Sequence, residues 1–112
     1  MDSGEFDAHL VEVGRHYRAK RDALAGALAA TCAADASWPV PDGGFCIWLT
    51  LNRGGADHLS DVARRHGVAF LPQSYFSATG ADGPRLRLAY GERSIPELVE
   101  GAHRLGRALR DR

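Results

Sequence analysis

Lysine is almost absent from this sequence: Lys20 stands alone against 13 arginines in 112 residues. Chemistry that runs through a lysine amine therefore has a single candidate. Cysteine is scarce too. Cys32 falls near the end of a predicted helix and Cys46 inside a predicted strand. Two such residues make no disulfide framework and are too few for an all-cysteine zinc site, and a reducing compartment is the default. Excess charge is missing, with 14 acids against 14 bases. A neutral domain has no electrostatic reason to seek nucleic acid or an anionic membrane. Long apolar runs are missing as well. The longest uncharged one, Gly43 to Leu51, falls well short of the ~20 residues of a spanning helix. Met1-Asp2-Ser3-Gly4-Glu5 does not read as a signal peptide, so a cytoplasmic location is expected. There is no H-E-x-x-H, no G-x-S-x-G, no Walker-type loop and no G-x-G-x-x-G.

What is present reads as one domain over residues 1–112. Phe6, Leu10, Val13, Tyr17, Leu24 and Leu28 follow helical spacing, which predicts a long amphipathic helix from Phe6 to about Ala34, stopped by Pro39 and Pro41. Gly43 to Leu51 alternates two sets that are both largely apolar, which predicts a strand buried on both faces. A short helix is expected from about Asp57 to His66, with Asp57 as its cap and Gly67 at its C-terminal turn. Val68–Leu71 reads as a second strand ended by Pro72, residues 73–84 as a polar loop, and Leu86–Tyr90 as a third strand. Ser94-Ile95-Pro96-Glu97 has the capping-box pattern, opening a final helix whose apolar stripe is Ile95, Leu98, Ala102, Leu105 and Leu109. The order predicts an α/β, two-layer α+β sandwich: a small mixed three-stranded sheet packed by three helices.

Arg87 is the residue that stands out. It sits mid-strand between Leu86 and Leu88, so it faces away from the side those leucines share with Tyr90. A guanidinium among apolar neighbours needs an anion, and its planar fork matches a carboxylate bidentately. The sequence leaves three readings open: a carboxylate-binding site, a salt bridge to Glu92, or exposure on an edge strand. The basic run from Arg15 to Arg21 reads as the solvated face of a helix rather than a nucleic-acid patch, with Lys20 an ordinary hydrated lysine on that face. His9, His16, His58, His66 and His103 have no metal-ligand spacing and read as surface or packing residues. Trp38, Trp48, Tyr75 and Tyr90 read as core or interface residues.

Several segments, in order, resemble the C-terminal small domain of class I/II aminotransferases, the fold-type I enzymes of pyridoxal 5'-phosphate (PLP). The nearest branch is that of 2-aminoadipate-type transaminases and the aminotransferase-like domains of GntR-type (MocR) regulators. Phe6–Leu10 with Tyr17–Leu24 resembles the opening helix, and Pro41–Leu49 resembles the P-x-G-G-x-F/I-W strand. Gly67–Pro72 resembles G-V-x-x-x-P-G, Arg85–Tyr90 the R-L-x-F/Y strand, and Ser94–Leu109 the closing helix. Two positions depart: Gln73 stands where glycine is usual and Cys46 where an aromatic is common.

The resemblance implies amino-group transfer between an amino acid and a 2-oxo acid, with Arg87 binding the substrate carboxylate. It implies that the cofactor's lysine lies in a large domain with no counterpart here, that the isolated chain is inactive, and that the whole protein is a homodimer. The residue spacing and the short apolar runs give no metal and no membrane partner; the resemblance implies nucleic acid only where a regulator's DNA-binding domain lies upstream. The rival readings are an effector-binding domain of such a regulator and a free-standing small-molecule-binding module.

Overall fold

The computed structural model describes residues 3–39 and 46–112, and side chains of the first helix from His16 onward. The expected strand residues Gly43–Phe45 and the helix positions Phe6, His9, Leu10 and Val13 therefore lie outside the described structure or side chains. Helix α1 spans Ser3–Thr31, β1 Ala36–Ser37, β2 Cys46–Leu51, α2 Ala56–Arg65, β3 Leu71–Pro72, β4 Arg85–Ala89 and α3 Ile95–Asp111. The sheet order is β1-β2-β4-β3, and every pairing is antiparallel. The two-layer α+β arrangement is the one expected. The sheet itself differs in two respects, being antiparallel throughout and gaining the two-residue edge strand β1. β3 starts later than the hydrophobic run suggests, because Val68 and Phe70 pack on the core and pairing begins only at Leu71. Pro72 closes β3, which is tolerable on an edge strand where its missing N–H breaks no ladder.

One hydrophobic core lies between the helices and one face of the sheet. Ile47, Leu49 and Leu51 of β2 and Leu86 and Leu88 of β4 meet Leu24 and Leu28 of α1, Leu59 of α2, and Leu105 and Leu109 of α3. Helices α1 and α3 approach closely where Gly106 faces Thr31, and a Cβ at Gly106 would sit 2.9 Å from the Thr31 carbonyl oxygen. The Thr31 hydroxyl lies 2.8 Å from the Ala27 carbonyl and 3.1 Å from the Ala102 carbonyl, tying the two helices together. The capping box of α3 forms as read: Ser94 Oγ accepts from the Glu97 N–H, and Glu97 Oε1 accepts from the Ser94 N–H at 3.1 Å. These bonds, with Arg93 nearby, hold the Glu97 carboxyl below its ordinary pKa. The cap's contribution is therefore present above the normal carboxylate range and is lost as pH falls through the lowered value. Ile95, expected in the core stripe of α3, is instead exposed in its first turn.

The N-terminus of α2 is capped differently from the sequence expectation. Gly55 takes the N-cap position with no side-chain cap. Asp82, far along the chain, reaches over instead, and its Oδ1 accepts from the N–H groups of Asp57 at 3.1 Å and Gly83 at 2.8 Å. Asp57 Oδ1 in turn accepts the Ser74 hydroxyl at 2.6 Å. A side chain at Gly55 would run into the Asp82 carboxylate, so the close approach requires glycine. This cap anchors the 73–84 loop. Asp82→Ala is expected to lower stability by about 1 kcal/mol, as loss of a helix cap does, read as a reduced urea midpoint at unchanged slope. Gly67 ends α2 in the left-handed conformation, φ 78°, as expected of a C-terminal glycine.

Candidate functional site

The face of the sheet turned away from the core carries the site. Cys46, Trp48 and Thr50 of β2 point there, as do Arg85, Arg87 and Ala89 of β4. β2 is thus buried on one face only, contrary to the expectation of burial on both. Its second apolar set is short and is used as a platform, with Trp48 and Cys46 half-buried and Thr50 exposed. Trp48 lies directly across from Arg87, and Leu71 flanks Arg87 on the other side.

Four side chains form a stacked row on this face. The Arg85 guanidinium lies over Trp48 at 4.8 Å from the ring centre. Trp48 meets Phe76 edge-on at 5.0 Å. The Arg87 guanidinium lies over Phe76 at 4.8 Å. Such stacking holds a guanidinium plane in place and leaves its N–H edge free to bond. Arg87 Nε is fully buried and has no hydrogen-bond partner among the described residues. Among the described residues no carboxylate forms an ion pair with Arg87 or Arg85, and Glu92 is exposed and unpaired with Arg87. An orphaned donor on a cation is costly in a folded protein, so the arrangement is poised for an anion.

The loop that brings Phe76 over Arg87 is built by Gln73. Its backbone begins a 3-10 turn, Gln73–Tyr75, with no positive φ. Its side-chain Oε1 accepts the Arg85 N–H at 3.1 Å, and a Cβ on Gly83 would strike the same amide. Glutamine in place of the usual glycine thus pins the loop to the start of β4.

Lys20 overturns its sequence reading. It is 7% exposed, and its Nζ donates to the Gly91 carbonyl at 3.0 Å. The signal was in the spacing: Lys20, Leu24, Leu28 and Cys32 recur every four residues, so the lysine occupies a core-facing position and covers the end of β4. Enclosed and committed to that carbonyl, the Lys20 amine is not placed to hold PLP. The cysteines are free and on separate elements. Burial pushes the Cys32 thiol above its ordinary pKa, which keeps it protonated and inert.

A cleft of about 670 Å³ opens between the first half of α3, the turn after α2 and the end of β4. It does not include Arg87; of its three cations, Arg93 and Arg104 are paired with Glu97 and Glu100, and Arg64 has no ion pair among the described residues. With two of its three cations paired and no buried donor among its described residues left without a partner, it is the weaker candidate despite its volume. Of the described histidines, His66 sits 2.9 Å from Asp111, and no group of residues among those described could hold a metal. No described helix is long and apolar enough to cross a membrane.

No family model matches the chain. Curated and solved proteins do. The chain is 36% identical over 106 residues to the 2-aminoadipate transaminase of Thermus thermophilus, covering 94% of this chain and 27% of that enzyme. A solved alpha-aminoadipate aminotransferase from the same organism, complexed with N-(5'-phosphopyridoxyl)-L-leucine, superposes with a TM-score of 0.88 over 95% of this chain. Kynurenine aminotransferase from Pyrococcus horikoshii, solved with PMP, superposes with a TM-score of 0.89 at 29% identity, over 98% of this chain and 28% of that one. An uncharacterized HTH-type transcriptional regulator of Bacillus subtilis is 24% identical over 97% of this chain and 22% of its own length. The chain thus resembles PLP-dependent aminotransferases over nearly its whole length and spans about a quarter of theirs.

Proposed function

We propose that this chain, given its likeness to one segment of PLP-dependent aminotransferases, is the small domain that orients an amino-acid or 2-oxo-acid substrate, and that Arg87 holds the substrate's α-carboxylate. The observation that carries the reading is the Arg87 guanidinium, stacked on Phe76 with a buried Nε that has no partner among the described residues. A planar carboxylate meets that fork with two charge-assisted hydrogen bonds. Phe76 fixes the plane in which they form, and Gln73 fixes Phe76 through its hold on β4. Movement of this domain against the rest of the protein then excludes water from the bound carboxylate.

PLP, bound by a large domain outside this chain, supplies the electron sink of amino-group transfer. Lys20 does not serve it: the amine is enclosed by α1 and the end of β4 and committed to the Gly91 carbonyl. The similarity to an HTH-type regulator supports a second reading, in which the same domain senses an amino acid rather than turning it over. Turnover by the full-length protein separates the two. Homodimer formation and a cytoplasmic location belong to the whole-protein proposal.

An absorbance scan of the purified chain with PLP, followed by borohydride reduction and mass spectrometry, tests the division of labour. The expected result is no stoichiometric adduct and no transamination. One stoichiometric adduct on Lys20 that an amino acid discharges, or sustained turnover by the chain alone, would overturn it.

A further inference from the structure

Phe76 is not held over Arg87 by its own burial. The ring is 45% exposed, and the contacts that seat it, the edge of Trp48 and the Arg87 guanidinium, lie on an open face. A ring left that far in solvent gains little from burial, so its backbone must be held for it to stay. The hold comes from Gln73. β3 pairs with β4 at Leu71–Arg87 and Pro72–Leu86, and the chain then leaves the sheet for the 3-10 turn. Where the backbone departs, the side chain carries the pairing on, with Gln73 Oε1 accepting the Arg85 N–H at 3.1 Å. The Gln73 carbonyl meanwhile accepts from the N–H groups of Phe76 at 2.9 Å and Ser77 at 3.1 Å. One residue thus grips β4 with its side chain and Phe76 with its backbone.

Gly83 backs this grip. The Gln73 amide lies against it, in space that a Cβ would fill. Gly83 is itself fixed: its carbonyl accepts the Ala56 N–H at 2.9 Å, and its N–H donates to Asp82 Oδ1 at 2.8 Å. Its φ is not positive, so what an alanine there meets first is the amide.

We propose that Gln73 is a positioning residue that keeps Phe76 seated over Arg87 before any ligand arrives, which makes this loop a preset wall of the carboxylate site and not a lid that closes on it. The proposal rests on Arg87 being that site. Without the amide the loop spends part of its time away from Arg87, and apparent affinity falls by the fraction of time it is seated.

The test is an NMR titration of the chain with 2-oxovalerate, following the Arg87 Nε–H signal, with the Phe76–Trp48 ring contact read from nuclear Overhauser effects before acid is added. The parent chain should show the contact without ligand and then bind. Gln73→Met keeps the bulk and removes the acceptor, and Gly83→Ala keeps Gln73 and displaces its amide. Each should lose most of the ring contact in the free chain, regain it at saturation, and bind about 5-fold more weakly, as a wall seated about one-fifth of the time requires. In the full-length protein Gln73→Met should raise KM and leave kcat unchanged. Full ring contact and parent affinity in Gln73→Met would overturn the role of Gln73 while leaving Arg87 as a carboxylate site. Weaker binding with the ring contact intact would overturn it too. If the parent chain does not bind the acid, the Arg87 assignment falls and this one with it. Circular dichroism of each variant confirms that a lost contact is not lost fold.

Discussion

Arg87→Gln, introduced into the full-length protein, is expected to lower kcat/KM for amino acids by about 100- to 1,000-fold while leaving the PLP absorbance spectrum unchanged. The size follows from two charge-assisted hydrogen bonds to a carboxylate, each worth about 1.5–3 kcal/mol, partly retained by the neutral amide. The direction for folding is the opposite of an ordinary buried-charge deletion. Removing one partner of a buried pair usually leaves a stranded charge, but Arg87 has no ion-pair partner among the described residues to strand. Removing an orphaned Nε relieves a cost, so the chain's thermal midpoint should hold or rise slightly. Arg87→Lys should fall between parent and glutamine, since a point charge keeps attraction but not the fork. A variant that loses activity and stability together would mean that Arg87 is structural.

Gly106→Val is expected to lower stability by about 2–3 kcal/mol, because overfilling a close-packed contact forces the elements apart. At this position even a single Cβ meets the Thr31 side chain and carbonyl at 2.9 Å, and that carbonyl cannot give way without moving the end of α1. Gly101, in the same helix, has nothing within 4 Å of its Cβ position. Gly101→Ala should therefore gain the helix propensity unopposed and stabilise by about 0.5–1 kcal/mol. Urea unfolding of the pair gives opposite shifts in midpoint. The contrast isolates packing between α1 and α3 from glycine's effect on the unfolded chain.

The local rules were legible because they act within a few residues. Ser94 and Glu97 spell out the cap of α3, and Gly67 marks the end of α2. Strand alternation correctly sent Arg87 to the face opposite Leu86, Leu88 and Tyr90, all buried. The resemblance in the R-L-x-F/Y strand singled out the same residue. What stayed hidden depends on residues distant in sequence. Asp82 caps a helix that begins 26 positions earlier, at Ala56, and no local pattern announces it. The apolar second face of β2 looks like a buried strand until Phe76 and Arg85 are seen to stack on Trp48. Lys20 was misread because charge outweighed its place four residues before Leu24, where a long side chain covers apolar surface and delivers its amine to Gly91. The row of Arg85, Trp48, Phe76 and Arg87 joins two strands and a loop, and so appears only on folding.

The most direct measurement is a crystal structure of the full-length protein with PLP and a bound 2-oxo acid. The predicted result is the α-carboxylate lying bidentate on the Arg87 guanidinium, at about 2.7–2.9 Å, beneath the Phe76 ring. A carboxylate held by other groups, with Arg87 turned to solvent or to an acidic side chain, would contradict the assignment.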